Sequence, residues 1–304
     1  GRLGAMVFGG VPEERLQLND DTLYADEPGR RDLPLDITPA FGEVLALLRR
    51  RRYAEADALI SQHWTGRTWP CYQPLGELLL QFDHAAPSSY VRELDIAQAL
   101  CAVRYESGGA AFSRELFASF PADLIAIRLT ASRPGALRFQ VRFASVHPTA
   151  GMAALDPRTL VLRGQAPGFA LRRALDWVEK RNEQWKYPEV WNPDGSRKPF
   201  AKEVLYGAEV DHRGMRFEAR LLALHEGGQL RVTDQGLSLD GASSATLLLS
   251  AGTSFNGFDK SPSREGADPS LRPRRALERA SRLSYEDLRR EHLGQRRADG
   301  FLPR

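Results

Sequence analysis

The sequence predicts a mainly β protein: a large antiparallel sandwich with short helices near residues 39–63 and a helical C-terminal end. Three observations lead there. Apolar residues recur with a period of two, as in Leu137, Phe139, Val141 and Phe143 against Arg138, Gln140 and Arg142. That is a strand with one dry and one wet face. Turn signals divide such segments at spacings of about 8–12 residues, which suits a sandwich or barrel better than an alternating α/β sheet. About a dozen strands and no internal repeat of fixed period point to one large sandwich.

In chain order, residues 1–36 read as short strands and turns, with Met6-Val7-Phe8 between glycines and Arg15-Leu16-Gln17-Leu18 alternating polar with apolar. Thr38 suits an N-cap and Pro39 the first helical position. Phe41, Val44, Leu45 and Leu48 then make an apolar stripe. Tyr53, Ala56, Leu59 and Ile60 continue a second stripe toward His63 and Trp64. From about residue 76 the period becomes two. Candidate strands follow at 90–96, 98–106, 111–119, 123–131, 137–143, 159–164, 216–224, 229–233 and 245–251. Gly108-Gly109 suits a two-residue hairpin, Arg133-Pro134-Gly135 a type II turn, and Asp240-Gly241 a strand junction. Residues 176–200 interrupt the pattern with Trp177, Trp185, Trp191 and the loop Asn192-Pro193-Asp194-Gly195. Either this stretch anchors on the sandwich by its aromatics, or it walls a sugar cleft, because indole faces stack on pyranose C–H faces. From about residue 271 helix returns. Ala276, Leu277 and Ala280 form a stripe, and Ser284 with Asp287 makes a capping box for a helix through Leu293. Gly294 onward has no apolar periodicity and is expected to end it.

Composition narrows the function. Hydrophobic residues at 42% and charged residues at 27% are ordinary for a soluble globular protein. No apolar run approaches the roughly 20 residues that span a bilayer, and no basic-then-apolar signal opens the chain. The 42 basic and 39 acidic residues leave a net charge of +3. The dense run Arg49–Arg52 lies inside a helical pattern, so neither nucleic acid nor a membrane is expected as partner. Cys71 and Cys101 form no disulfide framework and no Cys-x-x-Cys pair. His63, His84, His147, His212, His225 and His292 are scattered, so no metal or other cofactor is expected. There is no phosphate-binding glycine loop, nucleophile elbow or His-Glu-x-x-His. Asp20-Asp21 and Asp26-Glu27 are sequence neighbours of the kind found in surface turns.

Longer strings carry a resemblance. Gly1-Arg2-Leu3-Gly4, Leu18-Asn19-Asp20-Asp21-Thr22-Leu23-Tyr24, Tyr72-Gln73-Pro74-Leu75-Gly76, Leu160-Val161-Leu162-Arg163-Gly164 and Gly214-Met215-Arg216-Phe217-Glu218 come first. The most specific string is Thr253-Ser254-Phe255-Asn256-Gly257-Phe258-Asp259-Lys260-Ser261-Pro262. In this order the strings resemble glycoside hydrolase family 95, the α-L-fucosidase family, with Tyr24 standing where the family has Trp. The resemblance implies a β super-sandwich, then a helical linker, a catalytic (α/α) toroid and a small β domain. It assigns 1–268 to the super-sandwich and 269–304 to the start of the linker, read as truncated or frame-shifted after about 293. It implies inverting hydrolysis of terminal α-L-fucosyl linkages, for which one group protonates the leaving oxygen and another activates water. The family's general acid Glu, and its water-activating Asn and Asp, lie in the toroid. No position here matches them, so no catalytic residue is assigned and the chain alone is expected to be inactive. The implied partners are a fucosylated oligosaccharide, through the full-length enzyme, and the toroid itself, in a secreted or periplasmic setting.

Candidate substrate-binding or interdomain residues are Asn19, Asp21 and Thr22 after a strand, Trp69, Tyr72 and Gln73, His147, and Asn256, Asp259 and Lys260. The first and last groups either cap backbone at strand ends or reach the sugar pocket. Trp69, Tyr72 and Gln73 either frame a subsite or pack under the helices, and His147 is either structural or catalytic. Rival readings are a non-catalytic carbohydrate-binding sandwich and the same domain of an α-L-galactosidase-type relative.

Overall fold

The computed structural model describes residues 2–25, 38–63, 70–84 and 87–300. The strands are β1 Leu3–Val7, β2 Glu13–Asp20, β3 Gly76–Phe82, β4 Ser88–Asp95, β5 Leu100–Ser107, β6 Ala110–Ser119, β7 Leu124–Ala131 and β8 Leu137–Ala144. They continue with β9 Gly151–Asp156, β10 Thr159–Gln165, β11 Phe169–Ala170, β12 Val204–Leu205, β13 Arg216–Thr233 and β14 Gly236–Thr253. The helices are α1 Thr38–Arg49, α2 Tyr53–His63, α3 Leu175–Lys180, α4 Leu271–Ala280 and α5 Tyr285–Ala298. The protein is mainly β, as its alternation predicts.

All strands but β11 and β12 belong to one antiparallel sheet that curls over itself. Its path runs β1-β2-β3-β8-β14 and on through β7-β6-β5-β4, with β13, β10 and β9 branching from β14. The first half of β14 pairs β8, through Leu237 with Val141 and Leu239 with Phe139. Its second half pairs β7, through Leu247 with Ile127 and Leu249 with Ile125. The β13–β14 ribbon thus passes from one half-sheet into the other. The halves close on one core, with Leu16, Leu78, Leu80 and Phe139 from the first and Val103, Leu116, Ile127 and Leu160 from the second.

Glycines make the corner. Register shifts fall at Glu226/Gly227 in β13 and between Leu239 and Ala242 in β14. Gly228 has φ +70, and a Cβ there would lie 2.5 Å from the Asp240 carbonyl oxygen. No side chain fits, so the ribbon bends sharply at this point. This corrects the expected separate strands 216–224, 229–233 and 245–251: the glycines bend two continuous strands instead of ending them. The two predicted tight turns form. Ser107 pairs Ala110 across Gly108-Gly109, and the Ala136 N–H donates to the Arg133 carbonyl at 3.2 Å with Gly135 at positive φ.

The helices differ in detail from their patterns. α1 buries Ala40, Val44 and Leu47 against α2, whereas Phe41 and Leu48 of the expected stripe are exposed. α4 and α5 cover the outer face of the second half-sheet, where Leu277, Ala280 and Leu288 meet Phe117, Leu124, Ala126, Leu222 and Leu248. β14 is therefore dry on both faces there, which is why Ala245–Ala251 reads as a nearly continuous apolar run. The Ser284 hydroxyl caps α5 by accepting the Asp287 N–H at 3.0 Å. α5 does not stop at Leu293 but runs to Ala298. Polar contacts hold its last turns: His292 Nε2 donates to the Gln98 carbonyl at 2.8 Å, and Arg296 Nη2 to that of Ile96 at 2.9 Å. Apolar periodicity has no view of such contacts.

Candidate functional site at the strand-end junction

The site starts where β2 ends. Asn19 is still in the strand, opposite Gly4. Asp20 continues the inward register of Leu16 and Leu18 and is fully buried. Its Oδ1 accepts the Thr22 N–H at 3.0 Å and the Thr22 hydroxyl at 2.6 Å, which fixes the turn. With that proton committed, the Thr22 oxygen accepts from the Thr253 hydroxyl at 2.6 Å. Thr253 is the last residue of β14 and the first of the string ending at Pro262. The 71–75 segment lies alongside: the Ala25 N–H donates to the Cys71 carbonyl at 2.8 Å, Gln73 to Leu23 at 3.0 Å and Leu75 to Leu18 at 3.1 Å. Tyr24 bridges to Tyr72 and meets Phe255 edge-on at 6.3 Å. Strings up to 231 residues apart thereby form one junction.

The loop after β14 folds on buried Ser254, whose hydroxyl donates to the Pro262 carbonyl at 2.7 Å and accepts the Arg216 N–H at 3.0 Å. Asn256 Nδ2 donates to the Glu265 carbonyl at 2.7 Å. Asp21, Asp259 and Lys260 are exposed, as are Tyr72 at 53% and Phe258 at 82%. On the other side, Arg272 in the first turn of α4 donates to Asp20 Oδ2 at 2.9 Å and embraces both oxygens of Asp123. A planar guanidinium holding two carboxylates fixes distance and angle together.

His147 is buried behind the Tyr72–Gly76 string. Its Nε2 lies 2.8 Å from the Pro74 carbonyl and its Nδ1 2.8 Å from the Tyr206 hydroxyl. A carbonyl only accepts, so Nε2 carries the proton and Nδ1 accepts from Tyr206. Burial lowers its pKa. Both nitrogens are committed, and His147 is a neutral cross-tie between two segments.

Of the residues singled out in the sequence, Asn19, Asp21, Thr22, Tyr72, Gln73 and Asn256 meet at this junction, with Asp259 and Lys260 farther along the same loop. Trp69 lies outside the described residues. Asp123 and Arg272 complete the junction and escape the sequence reading, and Asp20, expected in a surface turn, is instead fully buried at the end of β2. Asp20 did carry a signal, being a carboxylate at an inward strand position, which demands a cation. The three tryptophans do not line one wall. Trp191 sits in a separate small core with Leu175, Val178 and Tyr187, Trp177 is stacked 4.0 Å from the Arg173 guanidinium, and Trp185 is exposed. The stretch anchors by Trp191 and Trp177 on a small core that it shares with Phe169, Leu171, Leu205 and Val210 of the flanking segments. Glu179, bonded to Arg197 and to the Trp191 indole, is held down at about 2.

The buried carboxylates Glu14, Asp20, Glu189 and Glu218 each stand beside an arginine. Burial pushes the Glu14 carboxyl upward in pKa, and it faces Arg114 inside the core. Among the described residues no cluster of His, Cys, Asp and Glu is arranged to hold a metal ion. The junction offers aromatic faces and amide, carboxylate and ammonium groups beside a rigid frame, which equips it to dock and position.

Comparison with known proteins places the chain among glycoside hydrolase domains. Alpha-L-fucosidase 2 of Arabidopsis thaliana is 32% identical over 302 residues, covering 97% of this chain and 33% of that protein. The chain thus spans about a third of the length of this curated relative. A solved chain from the human microbiome, named for kojibiose phosphorylase, aligns over 73% of this chain and 28% of its own length at 10% identity. Its TM-score of 0.34 carries no argument. The family model described as glycosyl hydrolase family 65, N-terminal domain, matches residues 1–257. The chain belongs to this family of glycoside hydrolase N-terminal domains.

Proposed function

We propose that residues 1–268 are the N-terminal super-sandwich of a family 95 α-L-fucosidase-like enzyme, with α4 and α5 opening the linker to its catalytic toroid. The parent enzyme hydrolyses terminal α-L-fucosyl linkages with inversion. The observation that carries this reading is the convergence of the three family-like strings, 18–24, 72–76 and 253–262, on one exposed rim beside the first turn of α4.

Inversion needs an acid and a base on opposite faces of the sugar, about 6.5–9.5 Å apart. In this reading both come from the toroid. The rim supplies position: Asp20, Thr22, Thr253 and Arg272 hold it rigid, and Tyr72, Phe258, Asn19, Asp21, Gln73, Asn256, Asp259 and Lys260 face the toroid and its glycan. His147 braces the rim from behind. The 32% identity to an α-L-fucosidase supports the sugar assignment.

The test is a kinetic comparison in the full reading frame that carries this chain. Tyr72→Ala and Phe258→Ala should each lower kcat/KM on a fucosylated oligosaccharide while leaving the melting temperature within a degree or two. Unchanged kinetics in both would make the rim an idle surface and remove this role.

A further inference from the structure

The outer face of the first half-sheet carries a second feature. Strand register lines up one polar residue per strand across five strands: Glu13 of β2 opposite Gln81 of β3, Gln81 opposite Gln140 of β8, Gln140 opposite Ser238 of β14, and Ser238 opposite Arg231 of β13. At a strand spacing of about 4.8 Å the row runs roughly 19 Å. Neighbouring positions on this face satisfy one another. Arg15 Nε and Gln17 Nε2 both donate to Glu77, at 2.9 and 3.1 Å, and Arg138 pairs Asp240 at 3.2 Å. The row does not. Among the described residues none of its five side chains makes a hydrogen bond or ion pair, although the two amides stand directly opposite each other.

The row also floors an open groove. Two adjoining depressions of about 290 and 570 Å³ share Gln81, Gln140 and Ser238, and Leu79 lends the first an apolar floor. These are small-ligand dimensions. A carboxylate accepts, a guanidinium donates, and amides and a hydroxyl do both. The carboxylate, the amides and the guanidinium each offer more than one donor or acceptor, so each can meet two neighbouring hydroxyls. One carboxylate and one guanidinium cancel, so the row favours a neutral polyhydroxylated ligand over an ionic one.

We propose that this row is a glycan-binding site separate from the junction, and that it takes an extended neutral oligosaccharide laid across the strands. It does not depend on the fucosidase reading, because the junction and the row share no residue.

The experiment titrates the 304-residue chain with cellohexaose, xylohexaose and mannohexaose, and with hexagalacturonate as the charged counterpart, by amide NMR shifts. A neutral hexasaccharide should bind saturably and shift residues around 79–81, 140 and 231–238. Gln81→Ala/Gln140→Ala, at exposed positions and with an unchanged melting curve, should weaken binding at least tenfold. Tyr72→Ala should leave it unchanged. The proposal is overturned if no neutral hexasaccharide saturates, if the double variant binds as before, if hexagalacturonate binds more tightly, or if Tyr72→Ala abolishes binding and so moves the ligand to the junction.

Discussion

Two arginines reach across this fold to carboxylates, Arg114 in the core and Arg272 at the rim. Arg114 on β6 is 2% exposed. It donates to Glu14 Oε2 at 3.2 Å, to the Val11 carbonyl at 2.7 Å and to the Tyr105 hydroxyl at 2.9 Å, with its guanidinium 4.0 Å over the Phe82 ring. Tyr105 in turn donates to His84 at 2.8 Å. Arg272 is 21% exposed and spans Asp20 and Asp123, so it fastens a helix to strand ends. The first ties strands together inside the core, shielded from solvent. The second joins a helix to strand ends and keeps some water access. The same ion-pair chemistry should therefore yield a global effect in one place and a local one in the other.

Mutation should separate the two ion pairs. Arg114→Ala strands Glu14 and several polar groups in the core, and should cost about 3–5 kcal/mol in urea unfolding. Adding Glu14→Leu should recover part of that loss. A loss below about 1 kcal/mol would show that water reaches this core. Arg272→Ala should cost roughly 1–3 kcal/mol and speed amide hydrogen exchange across α4 and α5 while β5–β7 keep the protection of the whole fold. If protection falls evenly everywhere, the helices belong to the core and the contrast is lost.

A pH titration reads the buried imidazoles. Burial holds His84, His147 and His292 below the ordinary 6.5. The folded chain then binds fewer protons than the unfolded one, so their contribution is complete above 6.5 and is lost as pH falls through the lowered values. Glu14, raised from 4.5 by burial, acts oppositely, since its contribution is complete below 4.5 and lost as pH rises. The melting temperature should fall between pH 7.5 and 5.5, and His147→Gln should flatten that fall. The smallest effects belong to the rim. Asn256→Ala loses one hydrogen bond, about 0.5–1.5 kcal/mol. Asp259→Ala should stay within about 0.5 kcal/mol in denaturant melts.

The strands were legible because alternation is a local property of pleated chain, and Gly108-Gly109 and Gly135 marked their turns correctly. Gly241 misled because a glycine that ends a strand and one that bends it look alike in sequence. The bend shows only once β8 and β7 pair successive halves of β14. The α1 stripe was displaced because α2, not the sheet, is its partner. At the junction the polar strings were legible as strings, although Asp20 looked like a surface-turn residue. Its pairing with Arg272, 252 residues away, was not, since any of 42 basic residues could have answered it.

Hydrolysis of an aryl α-L-fucoside by the 304-residue chain and by the full reading frame that contains it, with the first-formed sugar followed by NMR, decides whether the proposed division of labour holds. No turnover by the chain, and β-L-fucose as first product of the longer enzyme, are expected. Turnover by the chain itself, or α-L-fucose as first product, would contradict that division.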